Sequence, residues 1–130
     1  MTTEKILGLG TDLVEISRME DSLTQFGDRF LEKIFLPAEI AYARAQARPA
    51  VHLAARFAAK EAAAKAFGTG IGESLPWLGL EVGRHANGEP FLRFHSTAAD
   101  LARTRGVTRA LVSLSHTQTL ASATVALVGS

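Results

Sequence analysis

The sequence predicts an α/β fold of the α+β kind, in which a sheet packs against one long central helix. The chain has 130 residues, which is enough for one domain with a substantial core and too few for two ordinary domains. An alanine-rich run over residues 56–67 has high helix propensity. Short apolar segments near both ends of the chain are typical of buried strands. We therefore expect a compact single domain that spans residues 1–130.

The composition excludes several classes of protein. Lys and Arg number 14 against 13 Asp and Glu, whereas a general nucleic-acid binder is usually more basic. No apolar run reaches the length of a membrane span, and the N-terminus lacks the basic segment and long apolar core of a secretory signal. The absence of cysteine rules out disulfides, thiol catalysis and cysteine-ligated zinc. We expect a cytoplasmic protein that enters no membrane and binds no nucleic acid.

The first strand is predicted over residues 6–14, an apolar segment with glycines at positions 8 and 10 where another backbone could pack closely. Asp12 falls near the end of this strand. An unpaired buried carboxylate is costly, so Asp12 either caps backbone amides at the strand end or binds a ligand.

Three helices are predicted next, over residues 18–26, 28–34 and 37–47. Ser17 and Glu20 have the spacing of a capping box for the first helix, which should end near Gly27. Pro37 suits the first turn of the third helix, and Pro49 separates it from the helix that follows. Many basic residues in this region form either a solvated helix face or a docking patch for an acidic partner; they are Arg18, Arg29, Arg44, Arg48, Arg56 and Lys60.

The central helix should end after Phe67, with Gly68 as the left-handed residue that stops it. Phe57, Glu61 and Lys65 are spaced four residues apart and therefore lie in line on one face. An exposed Glu–Lys pair at this spacing contributes only about 0.2–0.5 kcal/mol and is usually surface decoration.

The surroundings of this pair suggest a second interpretation. Arg56, Lys60 and Lys65 surround the Glu61 carboxylate, and the glycine-rich loop over residues 68–72 follows directly. Cations, a carboxylate for a metal and donor-rich backbone are what a polyphosphate ligand requires.

In the second half of the chain, the sequence predicts four strands and one helix. Strands are predicted over residues 78–85 and 90–94, and the Asn87-Gly88 turn joins them as a hairpin. A helix over residues 96–105 should be capped by Ser96 or Thr97 and stopped by Gly106. Two more strands, over residues 110–116 and 122–128, close the sheet.

Three segments carry a specific family resemblance: LGLGTDLVEISRM near the start, RFAAKEAAAKAFGTGIG in the middle and SLSHTQTLASATVAL near the end. An FL-x-x-E-I-x-Y pattern at residues 35–42 and an NG-x-P hairpin at residues 87–90 add to them. With these motifs in this order and at these separations, the chain resembles the holo-acyl-carrier-protein synthase family of 4′-phosphopantetheinyl transferases over essentially its whole length.

The resemblance implies a Mg²⁺-dependent enzyme that moves the phosphopantetheine arm of coenzyme A to a serine of apo acyl carrier protein, in support of fatty acid biosynthesis. The second product would be adenosine 3′,5′-bisphosphate. Proteins of this kind are α/β homotrimers with coenzyme A bound in clefts between neighbouring subunits. Two other classes stay open: a coenzyme A- or nucleotide-binding module without transfer activity, and a structural or interaction trimer.

The same resemblance implies roles for individual residues. Asp12 and Glu61 match the metal-binding carboxylates, and Lys65 would act with them in catalysis. Arg18 would contact the carrier protein, and the resemblance implies the same role for Arg29. The residues implied in coenzyme A binding are Arg56, Lys60, Lys65, Gly68, Thr69, Gly70, Pro90 and His116. From the residues alone, His116 could equally be a structural histidine at the end of a strand.

Overall fold

The computed structural model describes residues 3–130 and contains five strands and four helices. In chain order they are β1 (Lys5–Glu15), α1 (Ile16–Ile34), α2 (Pro37–Arg44), α3 (Pro49–Phe67), β2 (Leu80–Arg84), β3 (Pro90–Phe94), α4 (Ser96–Thr104), β4 (Val107–His116) and β5 (Leu120–Gly129). A short 3₁₀ turn, Trp77–Gly79, precedes β2. The predicted α+β class, with a sheet against a long central helix, is confirmed.

The strands form two antiparallel sheets. β5 lies between β1 and β4 in a three-stranded sheet, and a tight connection over residues 117–119 joins β4 to β5. β2 and β3 form the predicted hairpin, but they make a separate two-stranded sheet. The expectation that all strands share one sheet is therefore wrong. β3 packs beside β4, and within residues 3–130 the backbone of β4 pairs with β5.

The central helix α3 packs directly on β1 and β5. A Cβ atom at Gly8 would lie 2.2 Å from the Ala66 carbonyl oxygen, and one at Gly10 would lie 1.9 Å from that of Ala62. Only glycine leaves room for such an approach, which confirms the close contact predicted from these two glycines. The buried alanines of α3 make the helix slim on the side that faces the sheet.

Helix α1 differs from its prediction in how it begins and in its length. It begins at Ile16, and the Ile16 amide donates to the Thr119 carbonyl, so the predicted capping box at Ser17 does not form. Gly27 adopts φ 61° and ψ −141°, a conformation open only to glycine, and the two helices predicted around it meet there in a kink.

Other element ends differ by a few residues. α2 ends at Arg44, and α4 begins at Ser96 without a side-chain cap, because the Thr97 hydroxyl donates to the Glu73 carbonyl instead. Gly68 has φ 76° and ends α3 as predicted. Within residues 3–130, none of the helices is long and apolar enough to cross a membrane.

Candidate active site

A cleft of about 390 Å³ opens between the end of β1, the first half of α1 and one face of α3. Asp12 and Glu61 lie on its polar side. Apolar residues line much of the rest of the cleft, together with Arg18. These apolar residues are Leu13, Val14, Met19, Phe30 and Phe57.

The strand and the helix bring the polar residues together. Gly8, Gly10 and Asp12 alternate along β1 and point to the same side of the sheet, towards α3. The two glycines allow α3 to lie close to the strand, so Asp12 comes next to the helix turn that carries Glu61 and Lys65. This contact is possible because β1 and α3 both carry small residues where they meet.

Lys65 joins the strand to the helix at this point. Its Nζ lies 2.9 Å from Asp12 Oδ1 and donates to the Thr11 carbonyl at 3.0 Å. The Asp12 side chain is 17% exposed and that of Lys65 is 54% exposed. The Lys65 side chain is therefore about half exposed, and an anionic ligand can approach its ammonium group from the solvent.

Burial raises the pKa of the Glu61 carboxyl, and the nearby Asp12 charge raises it further, while Lys65 partly offsets both effects. The two carboxylates are thus close enough to repel each other, and a divalent cation placed between them would relieve that repulsion. Asp12 and Glu61 could hold such a cation as two hard oxygen ligands. The described part of the chain contains no group of three or more His, Asp or Glu residues suited to a metal.

Lys60 does not lie in the cleft, contrary to the sequence-based expectation. Its ammonium group is fully buried and donates to Glu39 Oε1 at 2.8 Å, the Ile34 carbonyl at 2.7 Å and the Trp77 carbonyl at 3.1 Å. These acceptors occupy all of its donor capacity. The expectation that Lys60 binds a coenzyme A phosphate therefore does not fit its position.

Arg56 is also interior. Its Nε donates to the Val82 carbonyl at 3.2 Å, and its guanidinium lies 4.2 Å from the centre of the Tyr42 ring. Burial lowers the pKa of Arg56, although Glu39 and Tyr42 oppose that shift. With its side chain 1% exposed, Arg56 packs within the fold, and the expectation of a phosphate contact does not fit it either.

The remaining predicted residues lie at three other places on the surface. Gly68, Thr69 and Gly70 form the exposed loop after α3. Pro90 begins β3, and His116 ends β4 with its ring 6.3 Å from that of His52. Neither Pro90 nor His116 lines the cleft of its own chain.

The two basic residues predicted for α1 lie on either side of the Gly27 kink. Arg18 lines the cleft itself. Arg29 lines a separate shallow groove with Phe26 and Lys33, and Phe30 is shared between this groove and the cleft. Phe30 therefore connects the groove that contains Arg29 to the cleft that contains Arg18.

Sequence reasoning missed the apolar wall and the role of Glu39. Met19 and Phe30 were placed on helices without a function, and Glu39 appeared only within the FL-x-x-E-I-x-Y pattern. An acidic residue in an otherwise apolar stretch is a signal for a buried pair, because such a carboxylate needs donors.

Comparison with known proteins decides the family. The model of the 4′-phosphopantetheinyl transferase superfamily matches residues 8–124. The chain belongs to this superfamily. A holo-acyl-carrier-protein synthase of Koribacter versatilis is 49% identical over 122 residues, covering 94% of this chain and 98% of that protein. The corresponding synthase of Syntrophus aciditrophicus is 45% identical, covering 94% and 95%.

Solved structures of holo-acyl-carrier-protein synthases share the fold. That of Neisseria meningitidis superimposes with a TM-score of 0.88 at 32% identity and covers 95% of this chain and 98% of its own. That of Helicobacter pylori, solved in complex with coenzyme A, gives a TM-score of 0.82 at 28% identity, covering 92% and 98%. The family resemblance that the sequence motifs indicated is therefore confirmed.

Proposed function

We propose that this protein transfers the 4′-phosphopantetheine group of coenzyme A to a serine of apo acyl carrier protein and releases adenosine 3′,5′-bisphosphate. The observation that carries the proposal is the presence of Asp12 and Glu61 in one cleft, with Lys65 paired to Asp12, in a chain that belongs to the 4′-phosphopantetheinyl transferase superfamily. Two carboxylates and a half-exposed ammonium group match a reaction centred on a pyrophosphate.

The reaction exchanges one phosphorus–oxygen bond for another. The serine hydroxyl oxygen attacks the phosphorus that bears the pantetheine arm, and the bond from that phosphorus to the bridging oxygen breaks. The electron pair leaves with the nucleotide phosphate, and the hydroxyl proton passes to a base at the polar end of the cleft. Lys65 is placed to offset the negative charge that the phosphoryl oxygens carry during this exchange.

Asp12 and Glu61 are the residues that we propose to hold Mg²⁺. When bound, the ion would supply positive charge for the pyrophosphate and the departing phosphate. Mg²⁺ commonly takes one or two carboxylates and completes its octahedron with water and substrate phosphate. Asp12 and Glu61 are two of the three carboxylate residues that line the cleft, the third being Glu15.

The rest of coenzyme A would contact residues from more than one subunit. Gly68, Thr69 and Gly70 are exposed in the loop that follows Lys65. The Gly68 and Gly70 amides donate to the Ala64 carbonyl at the end of α3, so the contact that we propose between this loop and phosphate falls to the Thr69 hydroxyl, which would turn from the Gly70 carbonyl. His116 is exposed and Pro90 is partly buried, and neither lines the cleft of its own chain. A homotrimer with sites shared between neighbours would give all of them access to one ligand.

The carrier protein would dock on α1. Arg18 in the cleft and Arg29 in the neighbouring groove both present positive charge on that helix, and Phe30 lines both pockets. A carrier protein with an acidic surface around its serine would match this arrangement. We further propose that the chain is a single domain that works in the cytoplasm and supplies fatty acid biosynthesis with loaded carrier protein.

The deciding experiment is the intact mass of apo acyl carrier protein after incubation with this protein, coenzyme A and Mg²⁺, with a chelator in a parallel reaction. A gain of one phosphopantetheine group that disappears with the chelator is expected. Binding of coenzyme A without any mass gain on several carrier proteins would instead support a non-catalytic binding module, and the proposal would be wrong.

A further inference from the structure

A fully buried ion pair lies behind the cleft. The side chains of Glu39 on α2 and Lys60 on α3 are 1% and 0% exposed, and Lys60 Nζ lies 2.8 Å from Glu39 Oε1. Burial lowers the pKa of Lys60, and the Glu39 carboxylate opposes that shift. A buried charge persists only if it is paired and hydrogen-bonded, and here both conditions are met.

The pair collects hydrogen bonds from separate parts of the chain. Glu39 Oε1 accepts from the Leu36 amide at 2.7 Å, and Oε2 accepts from the Val82 amide on β2 at 2.8 Å. Lys60 donates to the carbonyl of Ile34, the last residue of α1, and to the carbonyl of Trp77 before β2. Five segments of the fold are therefore held at one point: the end of α1, the loop after it, α2, α3 and the strand β2 with its preceding turn.

The same segments carry the apolar wall of the cleft. Phe30 lies one helical turn before Ile34 on α1, and Phe57 lies one turn before Lys60 on α3. The Trp77 ring stacks on Phe57 with 5.2 Å between the ring centres. Both phenylalanines line the cleft, so the distance between them depends on how α1 and Trp77 are tied to α3.

We propose that Glu39 is a positioning residue that, through Lys60, sets the spacing between Phe30 and Phe57 and so shapes the wall that receives the carrier protein. This inference rests on the transfer reaction proposed above. Glu39 touches neither the cleft nor the polar residues in it. Its effect should therefore appear in acceptor recognition and not in the binding of coenzyme A.

Glutamine cannot replace this carboxylate. Three donors converge on its two oxygens: the amides of Leu36 and Val82 and the ammonium group of Lys60. A glutamine at position 39 offers one oxygen, and its NH₂ group would face at least one of these donors. Either β2 or the loop after α1 must then move, although the volume of the side chain is unchanged.

The test is steady-state transfer by Glu39→Gln, with apo acyl carrier protein and coenzyme A varied separately. We expect the KM for carrier protein to rise roughly tenfold, because a displacement of about 1 Å can cost up to about 100-fold, and the KM for coenzyme A to stay unchanged. A purely structural defect would lower the fraction of active protein, which reduces kcat and leaves both KM values as they are. That second pattern, or wild-type kinetics, would overturn the inference.

A double variant keeps the test decisive if the single variant unfolds. Glu39→Gln with Lys60→Met removes the buried ammonium group that the single change would leave without its carboxylate, which is the costly element of that change. It should fold and still show the raised KM for carrier protein. If it does not fold, the pair is required for the fold itself and the inference is wrong.

Glu4→Gln is the matched control, because it removes an exposed carboxylate whose partner is Arg109, far from the cleft. Its KM values should equal those of the wild type. A wild-type protein that loads no carrier protein would overturn the proposed function together with this inference, whereas normal recognition by Glu39→Gln would overturn the inference alone.

Discussion

Two carboxylates in one partly buried cleft carry most of the chemistry that we propose. We expect Glu61→Gln to lower transfer at limiting Mg²⁺ by about 100-fold or more, because it removes a charged metal ligand at the reacting phosphates. The fold should be retained, since the change leaves the side-chain volume nearly constant. The measurement is the rate of carrier-protein mass gain as Mg²⁺ is titrated.

Asp12→Asn should weaken transfer in the same way, and Asp100→Asn is the control for both. Asp100 pairs with Arg103 on the exposed face of α4, away from the cleft. Near-normal turnover of either cleft variant at limiting Mg²⁺ would contradict the assignment of that carboxylate to the metal.

His52 should make stability depend on pH. Burial, together with the positive charges of Arg56, His116 and Arg84, lowers the pKa of its imidazole below the usual 6.5. The folded state therefore favours the neutral ring, and this contribution is present above about pH 6.5 and is lost as the pH falls through the lowered pKa. His52→Phe keeps an aromatic ring beside Tyr42 and removes the titration.

The expected result is a smaller fall in Tm for His52→Phe than for the wild type between about pH 7.5 and pH 5. Thermal melts followed by circular dichroism at a series of pH values measure this difference. Equal falls in Tm for the two proteins would mean that His52 contributes nothing to the acid sensitivity.

The contact between β1 and α3 depends on two residues without side chains. In Gly10→Ala the new Cβ would sit 1.9 Å from the Ala62 carbonyl oxygen, and the obstacle is backbone that has little freedom to move. We expect the free energy of unfolding to fall by about 3 kcal/mol or more. The strand and the helix would separate where Asp12 meets Lys65, so urea unfolding should be measured together with transfer.

Gly72→Ala provides the comparison for Gly10→Ala. No atom beyond the two neighbouring residues lies within 4 Å of a Cβ placed at Gly72, so the free energy of unfolding of this variant in urea should match that of the wild type within about 0.5 kcal/mol. If Gly10→Ala were as stable as the wild type, the prediction would be wrong, and α3 would be able to move away from β1 without loss of stability.

Short sequence patterns were enough to predict most of the helices and strands. The stop at Gly68, the hairpin turn at Asn87-Gly88 and the close approach at Gly8 and Gly10 depend on backbone geometry that a few residues specify, and the structure has all of them. The start of α1 was misplaced because the Ile16 amide takes its acceptor from Thr119, a residue distant in sequence.

The position of a charged side chain was harder to predict than the helix that carries it. Lys60 and Lys65 lie on the same helix and appear equivalent in sequence, yet one is buried against Glu39 and the other meets Asp12 at the surface. The difference depends on which elements cover each face of α3, and only the tertiary packing decides that. The same argument applies to Arg56, whose partners lie on β2 and α2.

The face of the three-stranded sheet that points away from α3 carries exposed leucines. Leu9 on β1 and Leu111 on β4 both pair with Ala126 on β5, and these leucines are 66% and 50% exposed. Leu13 adds a third exposed leucine to the face. A contiguous apolar surface of this kind is typical of an interface between protein chains, and it supports the homotrimer that we propose.

Leu9→Lys combined with Leu111→Lys should dissociate the homotrimer, because two ammonium groups per subunit would have to be buried at the interface. The inner face of the sheet and α3 are untouched, so each chain should stay folded. Light scattering after size exclusion measures the mass, and transfer should fall with it because Pro90 and His116 would no longer reach a neighbour's cleft. Leu78→Lys, at an exposed leucine outside this sheet, should change neither property. A double variant that stays trimeric would place the interface elsewhere, and a fully active monomer would show that each chain binds coenzyme A alone.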